Sequence, residues 1–94
     1  MHPGTAPGIL KELTVTRLNR LCDALSATGQ TRSPFYADIQ KGTMVRPVKI
    51  GPRAAAWPAH EIEAIVQARI AGASETELRK LVDKLHAQRK EGLQ

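Results

Sequence analysis

The chain has almost no aromatic residues: one Phe, one Tyr and one Trp make up 3% of its 94 positions. Its core must therefore rest mainly on aliphatic contacts, with Trp57 read as a core anchor before a stacking platform. Cysteine is as scarce. The lone Cys22 excludes an internal disulfide and fits a reducing, cytoplasmic home. Its position among leucines predicts a small buried side chain rather than a nucleophile. No apolar run approaches the roughly 20 residues that span a bilayer. The start, Met1-His2-Pro3-Gly4, lacks the basic-then-apolar pattern of a secretory signal. Membrane and secreted classes are set aside on these grounds.

A convergent set of catalytic groups is also missing. The three histidines are His2 near the start, His60 at a helix start and His86 late in another helix, none with a Cys or His at metal-ligand spacing. Gly51-Pro52 lacks the spacing of a phosphate loop. Glu61 and Glu63 fall on different faces of one helix, and Glu75 and Glu77 read as first-turn capping charges. No enzyme activity, cofactor, metal or small-molecule substrate is expected.

What remains is an ordinary globular balance, 41% hydrophobic and 24% charged, in one domain's worth of chain. The charge is unevenly placed. All of the net +5 lies in residues 14–57, where Arg17, Arg20, Arg32, Lys41, Arg46, Lys49 and Arg53 face only Asp23 and Asp38. A basic block of this kind is the electrostatic footprint of a protein that binds a polyanion, although a solvated basic surface has the same composition.

Residues 1–13 read as a disordered tail, with two Pro and two Gly in the first eight positions. Leu18, Leu21, Cys22 and Leu25 follow the i, i+3, i+4, i+7 spacing of a helix face, which Gly29 ends. Pro34 suggests a second helix with Ser33 as its N-cap and Pro34 first in the helix, running to Lys41-Gly42. Two short helices about a glycine turn make a helix-turn-helix. Val48-Lys49-Ile50, Gly51-Pro52 and Arg53–Trp57 then read as a short β-hairpin, a wing. Pro58 opens a third helix with an apolar stripe of Ile62, Ile65, Val66, Arg69 and Ile70, stopped by Gly72. Ser74 and Glu77 form a capping box for a fourth helix to about Lys90, with Leu78, Leu81, Val82 and Leu85 on one side. The fold class is mainly α with a small β-hairpin: a winged helix-turn-helix over residues 14–72 and a helical extension over 73–94. The stripe of that extension either folds back onto the core or meets a neighbouring protomer.

In a helix-turn-helix the second helix presents its N-terminal residues to base edges in the major groove. Here that end reads Gln30-Thr31-Arg32-Ser33, an amide, two hydroxyls and a guanidinium that suit bases or phosphates. One of Thr31 and Ser33 must also cap the helix. Tyr36 can pack its ring on the first helix and still offer its hydroxyl to a phosphate. Lys49 and Arg53 bracket the wing turn, and Lys41 and Arg46 complete the basic set between Gly29 and Trp57. Double-stranded DNA is the expected partner, and the location is then the bacterial nucleoid.

The run Arg20–Gly29, then Thr31-Arg32-Ser33 and Phe35-Tyr36, resembles the AlpA family of phage-type regulators. The likeness continues through Ile39, Lys41-Gly42, Arg46–Gly51, Arg53-Ala54, Trp57, Glu61-Ile62 and Ala68–Gly72. The Pro-Val-Lys-hydrophobic-Gly-x-Arg…Trp wing is its most specific part. That family is similar to excisionases and to MerR-like winged helices. Two residues depart from its pattern. Pro34 replaces Thr or another non-proline residue, which moves the expected start of the recognition helix. Cys22 replaces Pro or a polar residue, so the first helix is expected to begin earlier than in relatives.

The resemblance implies a small DNA-binding protein of a prophage or integrative element, with Thr31, Arg32, Ser33 and Tyr36 in the recognition helix and Lys49 and Arg53 in the wing. It implies a protein that activates transcription or serves as a recombination directionality factor turning an integrase toward excision. The reading adopted is an excisionase that binds and bends attachment-site DNA. The absence of a long heptad seam in the fourth helix favours a monomer that assembles head-to-tail with other protomers on DNA. An AlpA-type transcriptional regulator of integrase and excision genes is the alternative, and a protein-interaction adaptor on the same fold is a third reading.

Overall fold

The computed structural model describes residues 17–91. The expected tail, residues 1–13, lies outside them. The elements run β1 (Leu18–Asn19), α1 (Leu21–Thr28), α2 (Arg32–Lys41), β2 (Val48–Gly51), β3 (Ala54–Pro58), α3 (Ala59–Ile70) and α4 (Glu75–Glu91). Four helices with a small antiparallel sheet make the winged helix-turn-helix that the sequence predicts.

The first helix differs from its expected start. Leu18 is not on its face. Leu18 and Asn19 instead pair antiparallel with Pro58 and Trp57, adding a third strand to the hairpin in the order β1-β3-β2. Arg20 is extended, and the helix begins at Leu21. The inward face is then Leu21, Ala24 and Leu25, which rotates Cys22 out to solvent. Cys22 is therefore an exposed thiol and not the buried side chain expected of it. The helical spacing had joined a strand residue to a helix that starts three residues later.

Gly29, at φ 69°, takes the left-handed turn that ends α1. Here too the sequence expectation shifts: α2 starts at Arg32, and Thr31, not Ser33, is its boundary residue. The Phe35 N–H donates to the Thr31 carbonyl at 3.2 Å, so the first turn closes one residue pair earlier than Pro34 suggested. Pro34 is tolerated as third residue because first-turn N–H groups need no partner within the helix. It also removes one donor that a boundary hydroxyl normally caps, and Thr31 makes no side-chain cap bond.

One aromatic contact seats α2. Phe35, fully buried, meets Trp57 edge-on at a centroid distance of 5.2 Å and an interplanar angle of 71°. The Trp57 indole N–H donates to the Val45 carbonyl at 3.1 Å, satisfying its polar end inside the core. A polar triangle fixes the other side of the helix pair. Gln30 Nε2 donates to Asp38 Oδ2 at 2.7 Å, Arg69 Nη2 donates to the same oxygen at 3.0 Å, and Arg69 Nη1 donates to Gln30 Oε1 at 3.2 Å. The turn, α2 and α3 are thereby locked in one arrangement. Arg69 thus belongs to this triangle, and Ile70 beyond it is 75% exposed and outside the stripe predicted for it.

The wing carries an irregularity. Lys49 pairs with Ala55 and Gly51 with Ala54, so Ile50 is bulged out of register and half exposed. Beyond Gly72 the capping box forms as expected: the Glu77 N–H donates to Ser74 Oγ at 3.2 Å and the Ser74 N–H to Glu77 Oε1 at 2.8 Å. The backbone and hydroxyl of Ser74 hold the Glu77 carboxyl below its usual range. Of the two fates open to the stripe of α4, the structure has the first. Leu78, Val82 and Leu85 are buried in the same cluster as Ala24, Phe35, Met44, Val45, Trp57, Ile62 and Ile65, with Leu81 against it.

The helix over Glu75–Glu91 is thus part of the folding unit. Burying each of three such side chains is worth about 1.5–3 kcal/mol, and the total approaches the roughly 5–15 kcal/mol that holds a small domain together. A chain ending at Ala73 should show no cooperative thermal transition by circular dichroism. Leu85→Ala should still fold, at a cost of about 2–5 kcal/mol.

The triangle gives an acid-side prediction. Burial pushes the Asp38 carboxyl up, but hydrogen bonds from Gln30 and Arg69 and the charges of Arg69 and Lys41 outweigh it and hold it below 3.8. A depressed carboxylate stabilises the fold above its unfolded value and loses that contribution as the pH falls through its folded one. Asp38→Asn should cost about 1–2 kcal/mol at neutral pH. Its stability should fall less steeply than wild type below pH 3.8, in denaturant titrations at stepped pH.

Candidate nucleic-acid interface

The N-terminal tip of α2 is open to solvent. Thr31, Arg32 and Ser33 are all exposed, with Ser33 inside the first turn rather than capping it. Arg32 is the first helical residue, so its guanidinium leaves the helix at the point where the free N–H groups of the first turn also face outward. Tyr36, one turn on, is 44% exposed. Its ring meets Phe35 edge-on at 6.0 Å, so the body is seated on the aromatic core while its face stays partly free. Gln30 differs from its neighbours. Its amide is committed at both ends to Asp38 and Arg69, so it holds the helix tip in place.

The cations sort into two groups. Among the described residues, ion pairs engage Lys41 (Asp38 at 3.6 Å, Glu75 at 3.4 Å), Arg69, Arg79 and Arg89. Within the basic block only Lys41 is paired. Arg17, Arg20, Arg32, Arg46, Lys49 and Arg53 are exposed and form no ion pair among the described residues. The paired cations fasten the fold, whereas the other six carry no acidic partner among the described residues.

The wing adds its own surface. Lys49 and Arg53 flank the turn as expected and, with Pro47, Pro52, Ala54 and Ala55, line an open hollow of about 410 Å³. Small side chains between two cations let a bulky anionic backbone approach closely. Arg46, at the root of the wing, is clamped by its backbone, its N–H donating to His86 Nε2 at 3.1 Å and its carbonyl accepting from Arg89 Nη2 at 2.7 Å. Its guanidinium stays outside these contacts.

Several working residues had no sequence signal of their own. Glu61, 2% exposed, is held by Arg89 through Nε at 3.0 and 3.1 Å and Nη2 at 2.6 Å. The pair is 28 positions apart, and Glu61 and Glu63 look alike in a string. Gln30, Asp38 and Arg69 span 39 positions; the one hint was an acid inside an otherwise basic recognition helix. Among the described residues no cluster of three or more His, Cys, Asp or Glu is placed to hold a metal ion, and no helix is long and apolar enough to cross a membrane.

The family described as Prophage CP4-57 regulatory protein (AlpA) matches residues 17–70, from the residue before β1 to the end of α3. No curated protein and no solved structure matches the chain. The match covers more than half of the sequence and takes in both the recognition helix and the wing, while α4 falls outside it. The chain belongs to the AlpA family of phage regulatory proteins.

Proposed function

We propose that this phage-type DNA-binding regulator acts as an excisionase, binding and bending attachment-site duplex so that an integrase on the same DNA works in the direction of excision. The observation that supports it most is the sorting of cations: six of the seven in the basic block lack an acidic partner among the described residues. In this reading α2 enters the major groove tip first. Arg32 reads a base edge, with guanine N7 and O6 the natural match for its fork. Thr31 and Ser33 supply hydroxyls to bases or phosphates, and Tyr36 supplies one to the backbone. Arg46, Lys49 and Arg53 carry the wing against phosphates. Lys41, partly neutralised by Asp38 and Glu75, adds a weaker phosphate contact.

The excisionase reading over a two-fold regulator draws on α4. Its apolar stripe is used up by the protomer's own core, so α4 offers no seam for a stable dimer. A monomer that assembles head-to-tail on direct repeats is the arrangement this reading adopts. The second reading is a transcriptional regulator, which the family's description as a regulatory protein favours. Selection from a pool of random duplexes separates them. Direct repeats, shifted stepwise and bent, support the excisionase; a palindrome bound in one step by two protomers supports the regulator. Failure to enrich any duplex would overturn both.

Binding should be strongly salt-dependent. About 3–6 phosphate contacts, each steepening log K against log salt by about 0.9, give a slope near 3–5. A flat response in a fluorescence-anisotropy titration would contradict the phosphate contacts.

Arg32 and Arg53 should fail differently. Arg32→Ala should cost about 1–3 kcal/mol on the selected duplex and relax its sequence preference. Arg53→Ala should weaken selected and random duplexes alike. Equal losses on both duplexes for Arg32→Ala would show that Arg32 only positions the protein.

A further inference from the structure

A winged helix-turn-helix grips a duplex with two elements, and the angle between them decides which sites fit both. α4 holds each of them by the backbone. Near its start, Arg79 Nε donates to the carbonyl of Lys41, the last residue of α2, at 3.1 Å. Glu75 steadies that guanidinium at 2.9 Å and takes Lys41 Nζ at 3.4 Å through its other oxygen. The side chain of Arg79 also lies along Gly42, the left-handed residue that ends the recognition helix. Seven to ten residues further, about 10–15 Å along the helix, the far end of α4 grips Arg46 just before β2. There His86 Nε2 accepts the Arg46 N–H and Arg89 donates to the Arg46 carbonyl. Arg89 is itself moored to the buried Glu61 of α3.

We propose that α4 is a brace that fixes the angle between recognition helix and wing, with Arg79 and His86 as positioning residues for duplex recognition. The proposal rests on the DNA-binding reading above and places part of that site outside the segment that matches the family, since every gripping residue lies beyond residue 70. These contacts differ from core packing in two ways. Arg79 is about half exposed and His86 is not part of the buried cluster. Both bond to main-chain groups of the DNA-facing segments, which fixes position whatever side chain stands at 41 or 46.

The His86 grip has a built-in readout. Only a neutral ring can accept the Arg46 N–H. Arg46 faces it from the wing root, Arg89 and Asp83 from α4, and Glu61 from α3; burial and the two arginines hold it below 6.5 against the two carboxylates. The grip is thus complete above that ordinary value and is lost as the pH falls through the lower folded one.

The test uses the full chain with Arg79→Ala, His86→Ala and His86→Gln. Lys84→Ala, exposed on α4 with no ion pair among the described residues, is the control for lost charge. Two quantities are measured: amide hydrogen exchange over residues 48–58 in the free protein, and affinity for a wild-type-selected duplex against a scrambled one. His86→Ala should speed wing exchange about three- to tenfold and weaken the selected duplex by a similar factor. The scrambled duplex should be bound as before. His86→Gln, whose amide oxygen accepts without titrating, should restore both. It should also keep its preference as the pH is stepped down below 6.5, whereas the wild type loses its own as the ring protonates. Arg79→Ala should lose preference for the selected duplex while Lys84→Ala does not.

Unchanged wing exchange in His86→Ala overturns the brace, as does equal loss on both duplexes or Arg79→Ala behaving like Lys84→Ala. A wild-type protein that enriches no duplex overturns the DNA reading and the recognition role with it. The exchange measurement then still decides separately whether α4 holds the wing.

Discussion

The edge-on contact of Phe35 with Trp57 is the junction on which the molecule depends. Phe35 belongs to the recognition helix, Trp57 to the inner strand of the wing sheet, and the Trp57 N–H reaches the loop between them at Val45. Three successive segments of the chain, the recognition helix, the loop after it and the inner strand, therefore share one point. In a protein with three aromatic residues, two of them are spent here and the third, Tyr36, leans on the first. Aliphatic side chains fill the remaining volume, but they are interchangeable in a way that this junction is not. A directional N–H bond and a ring-edge contact select one geometry, whereas burial of alkyl groups rewards any close packing.

Sequence reading worked where a feature is local and failed where it is relational. The Ser74–Glu77 box, the glycine turns at 29 and 42, and the wing about Gly51-Pro52 each involve neighbours in the chain, and each is present. Leu18 shows the opposite. Its spacing to Leu21 and Leu25 suited a helix, but its partner is Pro58, forty positions away, and pairing with β3 outweighed the local pattern. Cys22 went wrong as a consequence, because a helix that starts later points different residues inward. Pro34 misplaced a boundary because its restriction on Ser33 is a modest cost that a completed helical turn can outweigh. At the candidate site the cations and hydroxyls named from the sequence lie exposed, but Gln30 is committed to Asp38 and Arg69, and Lys41 is paired with Asp38 and Glu75. The sequence was silent on what holds these groups, since Arg69, His86 and Arg89 act through tertiary contacts across 31 to 43 positions.

The distribution of acids explains the economy of the surface. Asp38, Glu61 and Glu75 are each placed against an arginine that locks one element to another. Three of the nine acids are thus internal fastenings, and the block around α2 and the wing stays positive. The net +5 itself comes from composition, seven basic residues against two acids in residues 14–57. The fastenings also mean that charge and rigidity are coupled. An acid added to the basic block would dilute the field and compete for arginines already holding helices in place.

Cys22 gives the molecule a property of another kind. It is the chain's one thiol, and it stands on the outward face of α1, the helix adjoining the recognition helix. Bridging two such thiols requires Cα atoms about 4.4–6.8 Å apart, so two copies on DNA become covalently linked only where their first helices lie side by side. Oxidation therefore acts as a ruler for how neighbours are oriented, and a cleaving or fluorescent group tethered at the same sulfur maps the helix onto the duplex without altering any charge the protein carries.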